Sequence, residues 1–288
     1  MEYIYHLAVL FTIYAGLAIT LDLVVGYTGL LSVTHAAFYG FGAYATAILM
    51  TAHGFGFFPS LLVGMVISMV AALLIGFVLS RFKDDYYALV SFGFNIIVFS
   101  VFLNWQDVTR GPLGIPGIGK PELFGYTFSS TLQFLFLSAV LMLLVYGAAR
   151  FLVSSSFGRV LKAIREDEKA ISVFGYNTKT YKLVVFTLSA GMAAIAGSLF
   201  ASYITFIDPS TFTLNESVFI LAMIILGGLS NVRGAVIGAL FLILLPEILR
   251  FVGFPTDIAA QMRQVVYGAL LIGLMLYRPQ GLMGEFKL

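Results

Sequence analysis

Runs of about 18 to 23 residues almost free of charge recur along this chain, the length a helix rising about 1.5 Å per residue needs to cross a hydrocarbon core roughly 30 Å thick. Of its 288 residues 60% are hydrophobic and only 10% charged, against about 25% charged in soluble domains. A water-soluble fold could not hide that much apolar surface, so the chain reads as an all-α polytopic membrane protein. Its apolar runs place helices near 4–25, 30–52, 59–80, 86–104, 131–153, 183–205, 215–230, 233–252 and 262–277. That is about nine transmembrane helices (8–10), some broken or re-entrant, in a single membrane domain over 1–288. No cysteine is present, which excludes a disulfide framework and a cysteine-based metal site. Met1 and Glu2 supply no basic leader, and the first apolar run continues to Val25 without a small-residue cleavage site; the first segment is expected to remain as a helix.

Basic residues orient the spans, because short cytoplasmic loops collect Lys and Arg. With the 154–182 loop inside, alternation puts Arg81, Lys83, Arg150, Arg159, Lys162, Arg165, Lys169, Lys179, Lys182, Arg233, Arg278 and Lys287 inside, and leaves Arg110, Lys120, Arg250 and Arg263 outside. This distribution predicts an outer N-terminus and a cytoplasmic C-terminus. Ser217–Leu229 and Gln264–Tyr277 are short for a full crossing, and Gly227-Gly228 is either a helix break or a close-packing pair. Ala36 with Gly40, Ala193 with Gly197, and Gly234 with Gly238 each stand four apart, a spacing that lets helix backbones approach. A weak internal echo links GLLSVTHAAFYG from Gly29 to GGLSNVRGAVIG from Gly227.

Between two apolar runs lies a charged island, GRVLKAIREDEKAISVFG, from Gly158 to Gly175. On a helical wheel Val160, Ile164, Ile171 and Phe174 share a stripe, as in an amphipathic helix lying on another surface. Asp167 falls in the same stripe. Either the helix breaks near Arg165, Glu166, Asp167 and Glu168, or Asp167 meets a polar group on a partner. Gly175 followed by Asn177 marks a helix stop. Topology alone needs only positive charge, so the mixed signs and apolar stripe favour a docking element over a merely solvated loop.

These residues resemble the permease subunits of ABC importers for branched-chain amino acids, specifically the longer of the two permease types. The resemblance covers nearly the whole chain and rests on LDLVVGYTGLLSVTHAAFYGFGAY from Leu21, GRVLKAIREDEKAISVFGYNTKTYK from Gly158, LAMIILGGLSNVRGAVIGAL from Leu221 and RPQGL from Arg278. It implies the larger ABC importer permease fold and an ATPase-contacting loop of the Glu-Ala-Ala type at about 154–182. Arg159, Ile164, Arg165, Glu166, Asp167, Glu168, Ala170 and Gly175 would be its coupling residues, although Lys169 stands where Ala is expected and the spacing to Gly175 is one residue long. The resemblance implies a second related permease, two cytoplasmic ATPases and an external solute-binding protein as partners, in an inner membrane and without nucleic acid. No phosphate-binding lysine loop is present, so no cofactor is expected on this chain and ATP belongs to partner subunits.

The outer Gly/Pro loop, about 105–128, contains TRGPLGIPGIG from Thr109 and is too broken for a long helix. It is similar to a loop of the same permeases in which asparagine often stands at the position of Leu113; it is either a gate or docking surface, or a structural turn. Polar residues inside spans are functional candidates by default. Ser32, His35 and Asn95 are the candidate translocation-path residues, with Asn95 serving either a passing zwitterion or a helix tie. Asp22 is expected to reach the interface, and Glu247 to pair with Arg250. No catalytic motif appears, which leaves an enzyme aside. A urea or amide importer is the near rival, and a stand-alone carrier a further one, weakened by the scarcity of mid-membrane carboxylates.

Overall fold

The structure, a computed structural model, describes residues 2–82, 84–123 and 125–251, positions 265, 268, 269, 272, 273 and 276, and the turn 280–283. The long helices are α1 (Glu2–Thr28), α2 (His35–Ala52), α3 (Phe57–Leu79) and α4 (Asp84–Asn104). After a one-turn α5 (Gln106–Thr109), a 3-10 turn (Gly111–Leu113) and strands β1 (Ile115–Pro116), β2 (Glu122–Leu123) and β3 (Tyr126–Thr127), α6 (Thr131–Ser154) returns across the bundle. Two short helices, α7 (Ser156–Glu166) and α8 (Glu168–Val173), lead into α9 (Thr178–Ile204). β4 (Phe206–Ile207), a 3-10 turn (Pro209–Phe212), α10 (Leu214–Gly227) and α11 (Val232–Phe251) follow.

Among the described residues five helices (α1, α3, α4, α6 and α9) are long and apolar enough to cross a membrane. A sixth crossing is counted if α10 and α11, bent by 118° at their junction, form one broken span. The nine-span expectation is therefore not reproduced. The run at 30–52 is helical only from His35, because Gly29 turns the chain with φ +73° and residues 29–34 stay non-helical. The runs at 215–230 and 233–252 are the arms of the bent pair, and the run at 262–277 falls largely outside the described residues.

α1 and α9 are the axis of the bundle: 78% and 72% of their most apolar windows are buried, against 28% for α3, α4 and α6. The outer three helices turn Leu62, Leu74, Phe77, Leu89, Phe136 and Leu144 outward, as lipid-facing helices do. Inside, apolar burial offers no preference over lipid, so small residues and hydroxyls make the joints. A Cβ on Gly197 of α9 would lie 2.0 Å from the Tyr39 carbonyl of α2, and one on Gly42 would lie 2.1 Å from the Ala194 carbonyl; the two backbones touch there. Thr12 bonds Ser138 at 2.8 Å between α1 and α6, Thr46 bonds Ser198 at 2.7 Å between α2 and α9, and Ser68 donates to the Ala190 carbonyl at 2.9 Å between α3 and α9.

The bundle has two distinguishable ends. The last turn of α1 sits at the α7 end, where the Gly26 carbonyl accepts from Arg165, and His6 near its start bonds Tyr203 at 2.7 Å at the opposite end. There β1 pairs antiparallel with β4, Ile115 opposite Ile207, tying the Gly/Pro loop to the chain that leaves α9. Leu113 stands 82% exposed on that loop, while Ile115 and Ile118 are buried beneath it.

Gly197→Val is expected to force α2 and α9 apart and cost about 3 kcal/mol. The matching control, Gly147→Ala on the exposed face of α6 where an added Cβ meets nothing within 4 Å, should leave the melting temperature unchanged or slightly raised. Thermal unfolding in detergent, followed by the loss of monodisperse protein, compares the two.

Candidate functional site

The charged island folds as two helices meeting at Asp167. Ser155 caps α7 by accepting from the Gly158 N–H at 3.5 Å, and the helix buries Gly158, Leu161 and Ile164 against the bundle. At Asp167 the backbone turns extended, and its carboxylate accepts from the Lys169 and Ala170 N–H groups at 2.9 and 3.0 Å, capping α8. Of the two ways to resolve its place on the apolar stripe, the break is the one observed. The buried stripe also differs from the expected one: Leu161 and Ile164 are inside, whereas Phe174 is 78% exposed. One wheel drawn through the break thus joins Ile164, packed on the bundle, to Phe174, which stands clear of it.

Each expected loop residue has a defined place. Arg159 is exposed and reaches back to the Ser156 hydroxyl at 2.8 Å. Arg165 crosses to the Gly26 carbonyl; burial lowers the pKa of its guanidinium, and the Asp22 carboxylate opposes that shift. Glu166 is exposed at the end of α7. Glu168 is turned inward, paired with Lys182 at 2.7 Å and accepting from the Thr178 hydroxyl at 2.9 Å, so it fastens α8 to the start of α9. Ala170 is half-buried. Gly175 ends the turn with φ +86°, a conformation that suits glycine, and Asn177 caps α9. The loop thus presents an apolar tip, Val173 and Phe174, beyond a base braced by Glu168 and Arg165. Sequence reasoning had Phe174 on the docking stripe but passed over Val173, although two large apolar residues directly before a turn glycine in a charged segment are a legible signal.

A second constellation lies in the buried centre. α2 begins inside the bundle rather than at its end, and the free N–H and C=O groups of residues 29–34 need partners there. Ser91 of α4 accepts from the Val33 N–H at 3.2 Å. Asn95, 1% exposed, donates to the Val33 carbonyl at 3.0 Å and to the Ser217 hydroxyl of α10 at 2.9 Å, which fixes its amide orientation. Ser217 also accepts from the Ala36 N–H at 3.0 Å. Ser32 bonds Thr34 at 2.9 Å, and His35 meets Ser189 at 3.1 Å. Because Ser189 spends its own proton on the Thr20 carbonyl, the His35 Nε2 is the donor in that contact. Ser32, His35 and Asn95 are thus all enclosed within the chain, two of them bridging helices. Nearby, Glu216 in the first turn of α10 bonds Tyr14, and its Oε1 is enclosed with no hydrogen-bond partner. Sequence reasoning passed over this carboxylate, though an acid opening a short apolar run shortly after Asp208-Pro209 is a helix-start pattern.

At the third locus α10 stops at Gly227, Gly228 takes φ +104° and Ser230 φ +64°, and α11 starts at Val232. Gly227 and Gly228 are also close-packed, a Cβ on Gly227 falling 2.0 Å from the Gly234 carbonyl. Asp22 does not reach an interface. It is fully buried, with its carboxylate accepting from the Ser230 N–H at 2.9 Å. The expected Glu247 and Arg250 pair lies outside the described side chains.

Long apolar helices around a small-residue core, with an amphipathic loop projecting an apolar tip from one end, define a multi-pass membrane protein. A family model for the permease component of branched-chain amino acid transport systems matches residues 3–275, and the chain belongs to that family. It is 34% identical to the high-affinity branched-chain amino acid transport system permease protein LivM of Escherichia coli K12, over 96% of this chain and 69% of that protein. It is also 28% identical to the LivH permease protein of the same bacterium, over 94% of this chain and 91% of that one. The corresponding figures for BraD of Pseudomonas aeruginosa are 26%, 94% and 92%. No solved structure matches the chain.

Asn95→Leu strips donors from two buried acceptors and should lower stability by about 2 kcal/mol. Its thermal midpoint in detergent is expected to fall, and Asn95→Gln or Asn95→Asp should not recover it, because neither places an amide nitrogen at the same point.

Proposed function

We propose that this chain is one of two related membrane subunits of an ATP-driven importer for leucine, isoleucine or valine, working with two cytoplasmic ATPases and an external solute-binding protein. The observation that carries the reading is the family match over 3–275, joined to a loop whose geometry suits docking. Its likeness to both LivM and LivH, two permease proteins of one bacterium, supports a second, related permease as partner.

In this reading the α7–α8 loop lies in the cytoplasm and the start of α1 at the outer face of the inner membrane. Arg159, Lys162, Arg165, Lys169, Lys179 and Lys182, in the loop and the first turns of α9, then fall inside. Val173 and Phe174 enter a groove of an ATPase, Arg159, Glu166 and Lys169 flank them, and closure of the ATPase pair moves the loop. ATP binds to those subunits and no cofactor to this one, which is a transport subunit and not an enzyme. On the outer face, the exposed Leu113 of the braced Gly/Pro loop meets the binding protein. Ser32, His35 and Asn95 set the shape of the central path by holding the broken start of α2 in place.

Burying a phenylalanine side chain is worth about 2 kcal/mol, so Phe174→Ala should weaken capture of the ATPases about thirtyfold while leaving the bundle's thermal stability unchanged. Co-purification at graded detergent dilution measures it. The whole reading is tested by uptake of radiolabelled leucine into vesicles holding the chain alone and then the full assembly. Uptake confined to the assembly with internal ATP is expected; saturable uptake by the chain alone, without ATP, would overturn the importer in favour of a carrier. Competition by urea but not by isoleucine or valine would move the substrate to the amide class.

A further inference from the structure

We infer that Asp22 is a positioning residue for transport: with Gly26 it forms a latch through which the α7–α8 loop and the α10–α11 turn are carried by the same end of α1. The inference rests on the importer reading and says how the loop's motion reaches the membrane.

Two contacts converge on one turn of α1. From the loop, Arg165 donates to the Gly26 carbonyl. One turn earlier, Asp22 accepts from the N–H of Ser230, the residue that holds a left-handed conformation in the α10–α11 turn. Gly26 is what lets both happen, since a Cβ there would fall 2.0 Å from the Asp22 Oδ1 and 2.6 Å from the Ser230 nitrogen. A side chain on that residue would displace the turn from the carboxylate.

The far side of the turn is also held. The last carbonyls of α10, those of Leu226 and Gly227, accept from the Leu282 and Met283 N–H groups at 2.9 Å each, and Asn231 donates to the Met283 carbonyl at 2.7 Å. Gly281, with φ +71°, packs on Gly228, where a Cβ would fall 2.7 Å from its Cα. The turn between α10 and α11 is therefore clamped between α1 and the 280–283 turn, with the Asp22 hydrogen bond on the side that faces the coupling loop. A displacement of α7 acts on Gly26 and, through Asp22, on the start of α11 and the end of α10. The Ser230 hydroxyl takes no hydrogen-bond partner, so the backbone N–H is the group the latch uses.

The test uses the complete importer reconstituted in vesicles and reads ATP hydrolysed per leucine moved. Asp22→Leu and Gly26→Ala should raise that ratio about tenfold, while Asp22→Asn, which keeps an acceptor oxygen, stays within about twofold of the unaltered complex. Equal ratios in all three would overturn the latch. A second pair separates coupling from assembly. A Cβ built on Gly29 lies 3.9 Å from the Arg165 Cβ, within disulfide range, and this chain contains no other cysteine. Gly29→Cys with Arg165→Cys should be poorly coupled when reduced and recover coupling on oxidation, because the disulfide replaces the lost Arg165 contact. Oxidation that blocks uptake would show that α7 must move against α1, and oxidation that leaves the ratio unchanged would show that this contact carries no coupling; either result overturns the latch. An unaltered complex that moves no leucine with ATP would remove the importer reading itself, a result visible before any variant is made.

Discussion

Backbone that leaves the helix inside a bilayer finds no water to bond, and this requirement governs where each break in the chain can stand. Residues 29–34 and the first turn of α2 lie against α4 and α10, where Ser91, Asn95 and Ser217 meet open backbone groups of Val33 and Ala36. The stretch after α9 is folded onto β1, and the α10–α11 turn is closed by Asp22 and by the 280–283 turn. Each of these three breaks is thus flanked by a buried polar side chain or a second stretch of backbone. Movement at one break strains partners on another helix, so the bundle responds as a small number of connected bodies.

The joints themselves are made of the smallest groups available. α9 presents Ser189, Ser198 and Gly197 to α1 and α2, and in lipid such contacts count for more than large apolar side chains, whose burial there exchanges one hydrocarbon neighbour for another. This explains why α2, rich in alanine and glycine, lies within the bundle although it is only 18 residues long.

Much of this could be read from the chain. The long apolar runs gave α1, α3, α4, α6 and α9 to within a few residues, and the mixed charges of 158–175 marked the projecting loop. The interruptions were harder. GLLSV from Gly29 is apolar but for Ser32, and hydropathy cannot separate a helix from an extended segment whose polar backbone is met by neighbours 58 and 62 positions away. For the same reason α10 and α11 looked like two spans, since an apolar run carries no record of the angle at its end. Asp22 looked like an interface residue because its partner is a backbone N–H over 200 positions along, a group no pattern of side chains reveals. Ile164 and Phe174 looked like one face because a wheel assumes one axis, and Asp167 supplies two.

The tip of α8 has a consequence for the subunit before it joins anything. Val173 and Phe174, 85% and 78% exposed, hold hydrocarbon clear of the bundle at the end of a braced bracket, not folded under the loop. If the proposed ATPases cover this tip, an orphan copy would display a constant mark of incompleteness, of the kind that chaperones and membrane proteases read, and docking would erase it. The feature that suits the loop for engagement would also tie the lifetime of each copy to the supply of its mate.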